Sequence, residues 1–450
     1  MYNMDNITSA WGNSMDTSLS RALTLLNQAN TDFDLTNNQH QTHLLDLADN
    51  LLALTDLKFS QLLELSTQHD APLEFQLALK LVDSRQKVLA FTKPVNVGVV
   101  FAMWGEHHRL LPKSQSNPNG EDSLRIKIRQ LDWVTRDSQV QWQIYAVDDG
   151  CPHDSAHIAK RIAHEQPRAI SERVKVLQLS RALPSKVGPL QSLDSVEDSR
   201  KGGSIILGCE YALSAGVDGV LYTDADNSVH LGQLGLVLDP YMNHNKQVVL
   251  GNRKHADSIL VKQEERWGAG IKTLRHMQRM IGSQIFDQGI KDTQAAFKFY
   301  SRPVLEKILL KPTVYDFSFD TDWILAAMEM NQPITTVPFA FIDSAAESAS
   351  VTQGPMTTWY VLLDGLVKAV KARKADYSEE MADVFVREIS SHKDLELIID
   401  TVPPELAIAS DKDLGNPRVM SPQSVRNWIL SAKSLRSRQA NPKSVSPEQA

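Results

Sequence analysis

A Rossmann-like α/β fold, with a mostly parallel central sheet flanked by helices, is predicted for residues 93–354 on three observations. Short β-rich runs alternate there with helical stretches, the pattern of repeated βαβ units. The first run, residues 95–104, is apolar almost throughout and reads as a buried strand. Acidic residues, glycines and an arginine stand directly after the runs, and ligands of such sheets bind at the carboxyl ends of strands.

The elements follow in chain order. Residues 1–92 are expected to be helical, because Leu44, Leu47, Leu51, Leu54, Leu62 and Leu63 recur at helical spacing between Asp and Gln. Pro72 opens a further helix through Leu77, Leu81 and Leu89. No chemical motif occurs here, so the region is read as a packing or homo-oligomerisation module. The pattern changes at Lys93-Pro94. Strands are expected at 95–103, 141–147, 174–179, 219–223 and 247–250, with helices at 121–134, 155–165 and 203–215 between them. The strand pattern stops near Val351. A helical extension is expected over 355–435, in which Trp359, Leu362, Leu363, Leu366, Val367 and Val370 form one face. Lys368, Lys371, Arg373 and Lys374 give that helix a basic end suited to peripheral contact with an anionic membrane, or the helix packs on its own domain. The polar stretch 436–450 is expected to be a disordered tail.

Bulk composition narrows the partners. The chain has 450 residues, enough for two or three domains. Its formal net charge is −7, so no global basic field points to nucleic acid. Cys151 and Cys209 are the only cysteines, too few for a disulfide framework, and a reducing compartment is expected. The opening MYNMDNITSAWGNSMD lacks the basic-then-apolar order of a secretory leader. No apolar run approaches the roughly 20 residues of a membrane span. A cytoplasmic location, or a peripheral one at the cytoplasmic membrane face, follows as the expectation.

The strand ends carry the chemistry. Asp148 and Asp149, before Gly150, offer carboxylates to a base or ribose, although Asp-Gly is also a common turn. Asp224 and Asp226, spaced i, i+2 after an apolar strand, could reach one hard cation that neutralises a diphosphate. Lys201-Gly202-Gly203-Ser204 opens the preceding helix, whose N-terminus favours anions. Arg253 stands at a strand end, where its planar fork suits phosphate. Asp320 and Asp322 lie among large apolar residues before an expected helix at 323–330. One of them could act as a base, while helix capping by Asp320 competes with that reading. Cys151, His153 and His157 have spacings that invite a zinc proposal, but no second cysteine pair supports it.

The order of these motifs is more specific than any one of them. Asp-Asp-Gly, Lys-Gly-Gly, Asp-Ala-Asp, Gly-x-Arg, Asp292-Thr293-Gln294-x-x-Phe297-Lys298 and Phe319-Asp320-x-Asp322 succeed one another. This succession resembles the inverting family-2 glycosyltransferases of GT-A fold, and within them the dolichyl-phosphate glucosyltransferase and polyprenyl-phosphate glycosyltransferase branch. The resemblance covers roughly residues 95–352. It implies that Asp148 and Asp149 contact the donor base and ribose. It places Asp224 and Asp226 where Mg²⁺ or Mn²⁺ and the donor diphosphate bind, with Lys201 and Arg253 near phosphates. Glu106 keeps the acidic type of the family's first strand end, although Phe101-Ala102-Met103-Trp104-Gly105 departs from the usual turn. Gln294, with Asp292 of the same motif, and Asp320 line the acceptor side, and Asp322 replaces an acid that is often Glu. Residues 114–122 extend a loop, and the polar, basic stretch 261–286 stands where the membrane branch is apolar.

The function expected is metal-dependent transfer of a hexose from a UDP- or GDP-sugar, with inversion, to a polyprenyl phosphate or a soluble hydroxyl or phosphate acceptor. A phosphate acceptor needs little base assistance. A hydroxyl acceptor needs a carboxylate, Asp320 first and Asp322 second. Two other classes compete: a non-catalytic sugar-nucleotide-binding scaffold, and a sugar nucleotidyltransferase. The second would want a glycine-rich basic signature near the first strand, which 97–106 lacks.

Overall fold

The computed structural model describes residues 5–199, 201–262, 268–343 and 354–440, with side chains described outside 5–15, 355 and 436–440. The chain divides into two compact units. The first comprises Met1–Gln263, Gln294–Leu310 and Gln332–Glu347; the second comprises Glu264–Thr293, Lys311–Asn331 and Ser348–Ala450.

The first unit contains nine strands: β1 (Val95–Met103), β2 (Val140–Asp148), β3 (Val174–Gln178), β4 (Gly219–Thr223), β5 (Val248–Gly251), β6 (Ile259–Val261), β7 (Phe297–Ser301), β8 (Ile334–Val337) and β9 (Ala340–Ile342). Seven form one sheet in the order β3-β2-β1-β4-β7-β5-β8, and β6 pairs with β9 in a second. All pairs in the large sheet are parallel except those of β7, which runs antiparallel to both β4 and β5. The five strands expected from the sequence are present within one residue at each end. β6 to β9 were not foreseen.

β1 lies inside the sheet, between β2 and β4, and is buried on both faces, which is why its sequence is apolar without alternation. The helix Gly202–Ser214 lies close on it. A Cβ at Gly208 would strike the Val100 side chain, and one at Gly98 would come within 2.9 Å of the Ala212 Cβ. These two glycines let helix and strand approach, which brings the strand ends and the helix N-terminus to one edge.

The N-terminal helices Asp5–Gln28, Asn38–Leu52, Phe59–Gln68 and Leu73–Ala90 belong to this same unit. Leu44, Leu51, Phe75 and Leu81 share a hydrophobic core with Val97, Leu124, Leu231 and Leu234. Leu44, Leu47, Leu51, Leu54 and Leu62 of the apolar stripe thus serve the chain's own core, while Leu63 and Leu89 stay exposed. Asn37 caps the second helix by accepting from the Gln39 and His40 amides.

The second unit is helical. Its longer helices are Ile271–Ile281, Phe319–Glu329, Pro355–Ala372, Glu379–Glu388 and Pro422–Ala440. The units cut the chain differently from the expected segments 1–92, 93–354 and 355–435, because 264–293 and 311–331 join the C-terminal helices. The last helix continues to Ala440, five residues past the expected start of a tail, and 441–450 lie outside the described residues. Of the two readings of the helix at 359–374, its apolar face follows packing on its own domain. Trp359, Leu363, Leu366, Val367 and Val370 are all buried within its own unit, so that face is not presented to lipid. Lys368 pairs with Asp364 and Arg373 with Asp322, which also occupies the basic end. Among the described residues no helix is long and apolar enough to cross a membrane.

Candidate active site

The carboxyl ends of β1, β2 and β4 gather most of the expected donor-side residues in the first unit. Asp224 and Asp226 follow β4. Lys201 Nζ donates to Asp224 Oδ1 at 2.5 Å. Burial alone would raise the Asp224 pKa, but Lys201, with Lys127 and Arg109 behind it, holds the carboxyl below its ordinary value. Asp226 Oδ1 accepts from the Ser228 amide at 3.0 Å, and Oδ2 faces Arg109 Nη1 at 3.4 Å.

Arg109 also pairs with Glu106, linking the end of β1 to the Asp226 turn. Glu106 is almost fully buried, and the loss of hydration outweighs the attraction of Arg109, so its pKa is pushed up to about 7. Its Oε2 is buried without a hydrogen-bond partner. Lys127 is fully buried and donates to the Asp226 carbonyl oxygen. Its burial lowers its pKa against the pull of Asp226, Glu121, Asp224 and Glu106. Glu121 accepts from the Asn227 amide at 2.9 Å.

Asp148 and Asp149 end β2 and begin its turn. Asp148 Oδ1 accepts from the amides of Gly150 and Cys151, each at 3.1 Å. Asp149 accepts from Ser199 Oγ at 2.7 Å, Ser204 Oγ at 2.8 Å and the Lys201 amide at 2.7 Å. Burial raises the pKa of both carboxyls against these donors. Asp149 is therefore the anchor of the Lys201 turn. Lys201 sits at φ 90°, a costly conformation for a residue with a side chain, and that anchor aims its amine at Asp224.

Three imidazoles border this edge. The His107 ring lies 4.1 Å from His108 and 4.6 Å from His153, centroid to centroid. Cys151 Sγ accepts from the Gly105 and His153 amides, so it is held by backbone. Among the described residues no group of three His, Cys, Asp or Glu stands where it could hold a metal ion, whether around Cys151, His153 and His157 or around Asp224 and Asp226.

The remaining candidates belong to other segments of the chain. Arg253 stacks its guanidinium over Phe341, 5.1 Å from the ring centroid. Gln294 is partly buried and opens the return into β7. In the second unit, Asp292 and Asp320 are buried, 4% exposed each. Asp320 occupies the first turn of the helix Phe319–Glu329, whose N-cap is Ser318, so the capping role expected of Asp320 is not its own. Asp322 is fully buried and engaged on both oxygens. It accepts from Thr313 Oγ1 at 2.6 Å, the Thr313 amide at 3.0 Å and Arg373 Nε at 2.7 Å.

Arg109, Glu121 and Lys127 were missed by sequence reasoning. Lys127 left a signal, because it shares the apolar face Leu124, Leu131 and Val134 of its helix, where a cation needs a partner. Glu121 lay in the loop read as an insertion.

The sheet order and its antiparallel β7, with acids at the ends of β2 and β4, give the Rossmann-like, mostly parallel sheet flanked by helices that the sequence leads one to expect. The sequence is similar to dolichyl-phosphate beta-glucosyltransferases. One of Dictyostelium discoideum is 26% identical over 211 residues, 45% of this chain and 55% of the relative. One of Trichomonas vaginalis is 23% identical over 251 residues, 55% of this chain and 66% of the relative. The chain thus spans between half and two thirds of the length of these relatives. No family model matches. Among solved structures, glucosyl-3-phosphoglycerate synthase from Mycobacterium tuberculosis, in complex with Mn²⁺, uridine-diphosphate and glucosyl-3-phosphoglycerate, has a TM-score of 0.42 at 13% identity, covering 66% of this chain and 85% of that one. Mannosyl-3-phosphoglycerate synthase from Rubrobacter xylanophilus has a TM-score of 0.42 at 14% identity, covering 63% and 77%.

Proposed function

We propose that this chain is an inverting glycosyltransferase that moves a hexose from a UDP- or GDP-sugar to a polyprenyl phosphate or to a small soluble hydroxyl or phosphate acceptor. The observation that carries the reading is the Asp224–Lys201 pair at the end of β4, beside Asp226, Arg109 and Lys127. Acids and cations so interleaved suit a diphosphate and its counter-ion. The donor set fits Mg²⁺ or Mn²⁺, since Asp224 and Asp226 offer hard oxygens and the Asp224 side chain is 37% exposed. When bound, the ion would offset charge on the departing nucleoside diphosphate.

The chain's own groups have distinct roles in this reading. A bound ion would compete with Lys201 for Asp224, and the amine so freed would be placed to meet a donor phosphate. Asp148 would border the nucleoside, Asp149 would serve it by holding the Lys201 turn, and Arg253 would meet a phosphate of donor or acceptor. Gln294 and Asp292 belong to the acceptor side. The acceptor oxygen attacks the anomeric carbon as the bond from that carbon to the diphosphate oxygen breaks. With a phosphate acceptor no proton need move. With a hydroxyl acceptor the proton passes to Asp320, because Asp322 is committed to Arg373 and Thr313.

Transfer assays with labelled UDP-glucose and GDP-mannose, on polyprenyl phosphate and on small acceptors, test the proposal. Asp320→Asn should keep donor binding. It should cost about 100-fold or more in transfer to a hydroxyl and little in transfer to a phosphate. Full activity of that variant on a hydroxyl acceptor would discard the base assignment. Nucleotide-sugar binding without transfer to any acceptor would favour the scaffold reading.

A further inference from the structure

We infer that the N-terminal helical region is a working part of the donor site, with Gln41 and Gln130 as positioning residues for the turn that carries Asp224 and Asp226. The inference rests on the proposed function for the meaning of that turn, but not for the coupling itself.

The turn is gripped by one helix, Ser123–Thr135. Lys127 and Gln130, spaced i, i+3, share one of its faces. Lys127 holds the Asp226 carbonyl, and Gln130 Oε1 accepts from the Leu231 amide at 2.8 Å. Just before this helix, Glu121 holds the Asn227 amide. The segment from Asp226 to Leu231 is therefore tied to the helix by Lys127 and Gln130, and to the residue before its cap by the two bonds between Glu121 and Asn227.

The helix is in turn held from behind by the N-terminal region. Gln130 Nε2 donates to Gln41 Oε1 at 3.1 Å, and Gln41 Nε2 donates to the Leu35 carbonyl at 2.9 Å. Both glutamines are buried, at 2% and 3% exposure, so neither amide has water as a substitute partner. A relay of three hydrogen bonds runs from Leu35 to Leu231. Phe33, Leu35 and Leu77 of the N-terminal region also line, with Asn227, Ser228 and His230 of the turn, a cavity of only about 10 Å³. The turn has little room to shift without disturbing the N-terminal helices. Trp133 Nε1 to Asp49 Oδ1, 3.0 Å, joins the same helix to the N-terminal region without reaching the turn, and supplies a control.

Hydrogen exchange by mass spectrometry on the full chain reads the coupling without any ligand. Gln130→Met, which removes the acceptor of the Leu231 amide, and Gln41→Met, which removes the partner that holds Gln130, should each speed exchange of the peptide containing 224–232 by about tenfold. Combined, they should add little to Gln130→Met alone. Asp49→Ala should lower the melting temperature and leave that peptide unchanged. Nucleotide-sugar binding in Mn²⁺ should weaken in the two glutamine variants and not in Asp49→Ala. Unchanged exchange at 224–232 in Gln41→Met would overturn the inference. Faster exchange in the two glutamine variants, together with a wild-type protein that binds no nucleotide sugar, would keep the coupling and sink the proposed function instead.

Discussion

Glu106 shows how burial decides the character of a side chain here. Its carboxyl touches Arg109, yet its pKa rises from 4.5 to about 7, because lost hydration outweighs the ion pair. The folded chain keeps a proton that the unfolded chain releases near 4.5. This group therefore favours folding fully below that pH, and its contribution is lost as pH rises to about 7. Glu106→Gln cannot ionise, so its stability relative to wild type should improve across that interval by up to about 3 kcal/mol. Urea unfolding of both proteins at several pH values measures this, and a pH-independent difference would show that Glu106 is ionised throughout. Asp224 and Asp226 were legible in the sequence because a turn after an apolar strand leaves acids where ligands bind. Arg109 and Lys127 were not, since their value comes from partners about 100 residues away in the chain. Nothing in local spacing encodes that meeting.

At the scale of elements, the expected βαβ alternation gave the central strands and helices closely, because each buried strand needs a continuous apolar run. β7 was lost for a physical reason. Its sequence, Phe-Lys-Phe-Tyr-Ser, is equally apolar, but it enters antiparallel between β4 and β5, and alternation predicts only parallel neighbours. Lys298 within it is fully buried and satisfied by Tyr222 Oη at 2.7 Å and the Ala295 carbonyl at 2.6 Å. In the second unit, Arg373 ties the end of the helix Pro355–Ala372 to Asp322 in the helix Phe319–Glu329. Arg373 is itself buried, with an 8% exposed side chain. Asp322→Ala would leave that guanidinium with only Glu329 at 3.7 Å and the Lys311 carbonyl. A loss of about 3 kcal/mol is expected in chemical unfolding. A loss below about 1 kcal/mol would mean that apolar packing alone fastens these helices.

For the molecule as a whole, the change of periodicity at residue 93 falls inside the first compact unit. Residues 1–92 carry no motif, yet they share a core with the sheet and brace the helix that holds the Asp226 turn. The boundary drawn at 93 followed a change of periodicity, and periodicity reports secondary structure, not which surfaces pack together. The segments 264–293 and 311–331 leave the sheet unit for the same reason. The central claim is a nucleotide-sugar site built on Asp224 and Asp226. It is tested most directly by thermal melting of the chain with UDP-, GDP- and dTDP-sugars, in Mn²⁺ or Mg²⁺ and in chelator. A ligand that binds the folded state raises its stability by mass action, about 2.7 kcal/mol at 100 times Kd. The account predicts a metal-dependent rise in Tm with one nucleotide, abolished in Asp226→Ala. No rise with any of them, or an equal rise in Asp226→Ala, would contradict it.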